Sequence, residues 1–235
     1  MSVDIDKIRS QQSANLFYFK YFTRYVSIYF SFIFIKYKIS PNSITILMII
    51  PGIIGAYLLK EGTVLSYIFA GILLIFHDIL DTADGEVARY LEKKTLLGIY
   101  FDNIVHLIVN SALVFFAVIG LFESIFANYD HHSFSIALFF TLICIFDEFT
   151  KLLNKHILKI KNFENKLSLN RSISYKVNDI FFGNVAFFHL ILIFSFIDLI
   201  IFNKSFLITV YIPIYCFLII YKIFIKLKFA INNFN

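Results

Sequence analysis

Cysteine, proline and charge are all scarce in this 235-residue chain: two Cys, three Pro and 16% charged residues. The two cysteines, Cys144 and Cys216, lie inside apolar runs. That excludes a disulfide framework and leaves them as small buried hydrophobes. No internal repeat or low-complexity tract is present, so a single domain is expected. The first residues, Met1 to Ala14, are polar and lack the apolar core of a cleavable signal peptide. The shortage of charge is matched by 59% hydrophobic residues, with 31 Phe and 14 Tyr. Such a chain is too apolar for a soluble domain with a polar exterior and points to an all-α, multi-span membrane protein. The aromatics read as lipid-facing bulk. The net charge of +5 reports where lysines are placed and does not imply nucleic acid.

Hydrophobic stretches predict six spanning helices, near 43–60, 63–90, 96–122, 133–158, 179–202 and 205–230, each about the ~20 residues a bilayer core requires. Residues 1–42 form an N-terminal part and 43–235 a six-span membrane domain. Within 16–36, Lys20, Thr23, Arg24, Ser27 and Ser31 fall on one narrow polar stripe of an otherwise apolar helix. This pattern predicts an amphipathic helix lying in the membrane interface. With both termini in the cytoplasm, 19 of the 21 Lys and Arg fall inside, leaving Lys60 and Lys204 outside. At 1.5 Å per residue Asp81 then lies ~27 Å along the second span and Asp102 about 9 Å into the third. Both are at the cytoplasmic edge of the cell membrane, where a water-soluble nucleotide and a lipid can meet.

These acids belong to a longer pattern. Between Asp81 and His106 the chain reads Asp-Thr-Ala-Asp-Gly-Glu-Val-Ala-Arg, eight residues, then Gly-Ile-Tyr-Phe-Asp-Asn-Ile-Val-His. Intramembrane carboxylates are expensive and mark function by default. Asp81 with Asp84, and Asp102 with His106, share helical faces. Two such faces meeting make a cage of hard oxygen ligands suited to a divalent cation against a phosphate. Asp81, Asp84 and Asp102 are the expected metal set. Gly85, Ala88 and Gly98 keep the same surfaces open to a ligand, and Arg89 is placed to pair with a carboxylate or phosphate.

This spacing resembles the signature of the CDP-alcohol phosphotransferase family, Asp-x2-Asp-Gly-x2-Ala-Arg-x8-Gly-x3-Asp-x3-Asp. Seven of its eight fixed positions agree, and Pro41-Asn42-Ser43-Ile44-Thr45 is similar to the segment the family places beside the nucleotide. The resemblance implies transfer of a phosphoalcohol, often phosphatidyl, from a CDP-alcohol such as CDP-diacylglycerol to an acceptor hydroxyl, with release of CMP. It implies Mg2+ or Mn2+ on Asp81, Asp84 and Asp102, and a nucleotide lined by Asn42, Thr45, Gly85, Ala88, Arg89 and Gly98. It also implies a homodimer, and a basic residue binding the acceptor, for which Lys151 and Arg171 are the candidates. The eighth position departs: His106 stands where the family has an aspartate proposed as general base. A neutral imidazole is a competent base near neutral pH but a poorer ligand for magnesium. His106, with Asp102, is the expected catalytic pair.

Beside the motif, His77 lies one turn before Asp81 and either orients it or is a packing histidine. Asp78 either pairs with a basic side chain or extends the cage. Asp147 and Lys151, four apart, predict a helical ion pair. Two other functions stay open at this level: a transporter using intramembrane carboxylates, and an inactive CDP-binding subunit. Against the former, the acids gather at one surface and only Pro51 and Pro213 interrupt spans.

Overall fold

Proline, glycine and short polar residues set where the helices begin and end. In the computed structural model, which describes residues 3–12, 18–126, 131–160 and 184–234, the regular elements are all helical. They are α1 (Ile5–Ser10), α2 (Tyr18–Lys36), α3 (Pro41–Leu47), α4 (Ile49–Leu58) with a 3-10 turn (Leu59–Glu61), and α5 (Val64–Tyr90). After these come α6 (Leu96–Phe126), α7 (His131–Ile160), α8 (Asn184–Ile197) running into a π turn (Asp198–Phe202), and α9 (Phe206–Phe234).

Ser40 caps α3 by accepting from the Ser43 amide, with Pro41 in the first turn where its missing N–H costs nothing. Pro51 then explains why the first apolar segment is two helices. It cannot donate to the carbonyl four residues back, and its ring crowds that turn, so the helix breaks at Met48. Gly62, at φ 64°, ends the following turn, and Thr63 caps α5 through the Ser66 amide at 3.2 Å.

Among the described residues, five segments are long and apolar enough to cross a membrane: Pro41–Glu61, Val64–Tyr90, Leu96–Phe126, Asn184–Phe202 and Phe206–Lys228. These match five of the six expected spans. The remaining one, 133–158, is the continuous helix α7, and Asp147, Glu148 and Lys151 lie in its second half. Large apolar side chains such as Ile50, Phe69, Phe139, Phe146, Ile214 and Phe217 point outward. Water is a poor solvent for such a surface and a bilayer a good one.

Helix α5 is the hub, packed by α2, α3, α4 and α8, while α6 packs on α4 and α7. Two apolar cores result. One, around Tyr67, Leu74, Leu113, Ala117, Phe187 and Ile212, fills the half of the bundle away from the motif. The other, around Ile28, Ile44, Met48, Leu80, Val87 and Val109, supports the motif end.

The polar stripe of α2 is where sequence and structure part. Thr23, Ser27 and Ser31 are buried against α5, and Tyr21, Phe22, Tyr25, Tyr29 and Ile33 form the exposed face. The stripe does not look into water, because α5 offers it two buried carboxylates. Thr23 Oγ1 donates to Asp78 at 2.8 Å, and Ser27 and Ser31 donate to the two oxygens of Glu86 at 2.8 and 2.6 Å. Gln12 Nε2 adds a third bond to Glu86 at 2.6 Å. The side chain of Lys20 lies outside the described residues.

Candidate active site

α5 stays helical through Tyr90, and a short link with Glu92 at φ 54° reverses the chain into α6. Thr95 Oγ1 accepts from the Gly98 amide at 3.0 Å and opens the new helix. This hairpin brings the halves of the motif together. His106 Nε2 lies 3.2 Å from Asp81 Oδ1 and 3.2 Å from Asp102 Oδ1. One ligand atom from each of Asp81, Asp102 and His106 lies within 4.8 Å of the others. Two carboxylate oxygens and one imidazole nitrogen at that separation fit a divalent cation, with the oxygens as the hard donors.

Asp84, the third residue of the expected metal set, stands outside this tight group. Its Oδ2 accepts from Thr45 Oγ1 at 2.6 Å, so a residue expected beside the nucleotide orients one of the expected metal ligands. The same hydroxyl lies 3.1 Å from the Pro41 carbonyl, which shares its one proton with the shorter bond to Asp84. Asn42 faces Gly98: a Cβ added there would meet the Asn42 Oδ1 at 2.9 Å, so the amide end of Asn42 occupies the space that glycine leaves open. The Arg89 guanidinium lies across Gly85, its Nη1 3.2 Å from where a Cβ would stand. Among the described residues, Arg89 Nε is buried with no hydrogen-bond partner. Asn42, Thr45, Asp84, Gly85, Ala88, Arg89 and Gly98 thus stand on the three helices, α3, α5 and α6, that surround the acidic group.

Of the flanking residues, His77 is buried and donates Nδ1–H to the Met48 carbonyl at 2.8 Å, the carbonyl at the break before Pro51. The tautomer follows, because a carbonyl can only accept. Its ring meets that of His106 edge-on at 6.2 Å, so it shores up the imidazole as well as standing one turn from Asp81. Asp78 turns to Thr23 and does not extend the cage. The expected Asp147–Lys151 pair is replaced. Lys151 Nζ bonds Glu148 at 3.2 Å, and Asp147 bonds Lys226 of α9 at 2.7 Å. The inter-helix partner wins because Lys226 reaches Asp147 across the α7–α9 contact. Arg171 lies outside the described residues.

Sequence reasoning missed three features. The Thr45–Asp84 bond has no signature within either segment. Glu86, 2% exposed, was detectable as a carboxylate inside the motif with no assigned task. The bond from Asn110 Nδ2 to Glu148 Oε1, 3.0 Å, joins α6 to α7; Asn110 follows His106 by one turn, which was its signal.

Comparison with known proteins agrees with this geometry. The chain is similar to a "Bifunctional IPC transferase and DIPP synthase" of Thermococcus kodakarensis, 31% identical over 111 residues, which is 41% of this chain and 25% of that protein. It is similar to a protein of the same name from Archaeoglobus fulgidus, 34% identical over 84 residues, 36% of this chain and 16% of that one. An uncharacterized protein of Aquifex aeolicus is 34% identical over 71 residues, 30% of this chain and 34% of that protein. The matches therefore span about a third or less of these relatives' lengths. Residues 38–221, from just before α3 to well into α9, match the family described as CDP-alcohol phosphatidyltransferase, and by that match, which contains every element of the acidic site, the chain belongs to it.

Proposed function

We propose that this protein transfers a phosphoalcohol group, phosphatidyl or similar, from a CDP-alcohol to an acceptor hydroxyl in phospholipid or related head-group synthesis. The observation that carries the reading is the meeting of Asp81, Asp102 and His106 within 4.8 Å at the family's spacing. In the reaction a bond forms between the acceptor oxygen and the β-phosphorus. The bond from that phosphorus to the bridging oxygen of CMP breaks, and CMP leaves with the electron pair. His106 takes the acceptor's proton on Nδ1, while its Nε2–H donates to Asp102 and Asp81 and holds the ring. Asn42, Thr45, Gly85, Ala88, Arg89 and Gly98 line the cytidine diphosphate, with Arg89 on its phosphates. Lys151 and Arg171 meet the acceptor. Asp81, Asp84 and Asp102 would hold Mg2+ or Mn2+, which supplies charge neutralisation at the diphosphate.

We place six spans in the cell membrane, α7 among them, with both termini and the site cytoplasmic, and the chain as a homodimer. α2 lies in the interface: its aromatic outer face suits the headgroup region and its polar groups are satisfied inward by α5.

The test is CMP release by purified protein from CDP-diacylglycerol and other CDP-alcohols, with Mg2+ or Mn2+ and a panel of acceptors. Release should require the metal and vanish in Asp84→Asn. His106→Ala should lose most of the rate while still binding CMP. Metal-independent release, or full activity in Asp84→Asn, would sink the proposal. CMP binding without turnover in the wild type would mark an inactive subunit.

A further inference from the structure

One carboxylate inside the motif takes no part in the reaction above. Glu86 is 2% exposed, and both its oxygens are engaged by residues from the N-terminal part of the chain. Oε1 accepts from Ser27 Oγ at 2.8 Å and from Gln12 Nε2 at 2.6 Å, and Oε2 accepts from Ser31 Oγ at 2.6 Å. An acid shut away from water is costly unless it is hydrogen-bonded, so its place depends on these three donors.

The same N-terminal part holds α5 at two further points. Thr23 Oγ1 donates to Asp78, about two turns before Glu86. One turn after Glu86, the Tyr90 hydroxyl accepts from the Asp4 amide at 3.2 Å, and the Lys7 ammonium lies 4.7 Å from the Tyr90 ring centroid. At ~100° per residue, Asp78, Glu86 and Tyr90 lie on one arc of about 120° of α5. Asp81, Asp84, Gly85 and Ala88 lie on a separate arc of about 100°. The stretch of α5 that carries the site on one side is thus pinned from another.

Apolar contacts alone resist rotation of a helix weakly, because dispersion has no direction; hydrogen bonds have one. Side-chain ends stand ~5–6 Å from the helix axis, so a turn of about 10° moves a carboxylate by ~1 Å. Misplacement by ~1 Å is enough to lower a rate about a hundredfold. We propose that Glu86 is a positioning residue: bonded to Gln12, Ser27 and Ser31, it sets the rotation of α5 that aims Asp81 and Asp84 at the metal and Gly85 and Ala88 at the nucleotide. This rests on the transfer reading above. It adds that Gln12, Ser27 and Ser31, which precede the family match over residues 38–221, belong to the working site.

The experiment compares wild type, Ser27→Ala/Ser31→Ala, Glu86→Gln, Glu86→Met and the triple variant that joins the serine pair to Glu86→Met. Asp198→Asn is the control: that acid is also buried, and it caps α9 by accepting from the Leu207 and Ile208 amides. Purified full-length protein is assayed for melting temperature, for Mn2+ affinity by electron paramagnetic resonance and for CMP affinity, the affinities at a temperature where every variant is folded. The serine pair leaves the acid one of its three donors. It should lower the melting temperature and weaken Mn2+ binding about tenfold or more, with CMP affinity falling alongside. Adding Glu86→Met removes the stranded charge, so the melting temperature should recover while Mn2+ affinity stays low. Glu86→Gln offers the serines one acceptor and one donor and should lose less Mn2+ affinity than Glu86→Met. Asp198→Asn should lower the melting temperature and leave Mn2+ affinity as in wild type. Mn2+ affinity that is unmoved in the serine pair, that returns with stability in the triple variant, or that falls equally in Asp198→Asn overturns the proposal. Wild type that binds neither Mn2+ nor CMP defeats the transfer reading instead.

Discussion

At the scale of single residues, the site depends on partners outside the signature. Thr45 gives its hydroxyl to Asp84, and nothing in the local sequence of either shows that they meet. Thr45→Val keeps the shape and removes the donor. We expect divalent-cation affinity to fall about tenfold or more, the usual effect of removing a partner of a metal-binding carboxylate, with Thr45→Ser largely restoring it. Titration of Mn2+ followed by electron paramagnetic resonance measures this directly. Unchanged Mn2+ affinity in Thr45→Val would remove Thr45 from the site. Asp81, Asp102 and His106 were legible because i, i+3 and i+4 spacing fixes which side chains share a helical face. Thr45 with Asp84, and Asn110 with Glu148, were not, since helix periodicity says nothing about which other helix lies opposite.

Helices pair closely in this protein where glycine permits it. Gly120 of α6 is the tightest case: a Cβ there would sit 1.8 Å from the Leu59 carbonyl oxygen, a backbone atom that cannot swing aside. Gly120→Ala should cost more than the ~1–3 kcal/mol typical of an overpacked side-chain contact. It should show as a markedly lower melting temperature or loss of folded protein in detergent. Gly52→Ala is the milder comparison, because its new Cβ meets the side chains of His77 and Val109 at 2.9 Å. Equal melting temperatures for Gly120→Ala and wild type would contradict the α6 packing. Helix positions followed from hydrophobic length; Pro51 breaks its segment as expected of proline, whereas Pro213, also expected to interrupt a span, lies inside the continuous α9. The orientation of α2 did not follow. A polar stripe on an apolar helix looks the same whether it faces water or a row of acids, and here Asp78 and Glu86 of α5 decide it.

The whole molecule carries its basic residues unevenly, and sidedness is the property this governs. Single cysteines at Lys60 or Lys204, in a background lacking Cys144 and Cys216, should react with a membrane-impermeant maleimide added outside intact cells. A cysteine at Lys38 or Lys94 should react only after the membrane is opened. The reverse pattern would invert the orientation read from the charge count.

The buried bonds between α2 and α5 also impose an order in time. Thr23 waits for a partner 55 residues later in the chain, and Ser27 for one 59 residues later. At about 5–20 residues per second of synthesis, that delay is roughly 3–12 s. For those seconds the newborn α2 carries an unsatisfied polar stripe and has reason to stay where water reaches it. Only once α5 has followed it does α2 find the carboxylates that satisfy its stripe, so its final setting waits on a helix made later.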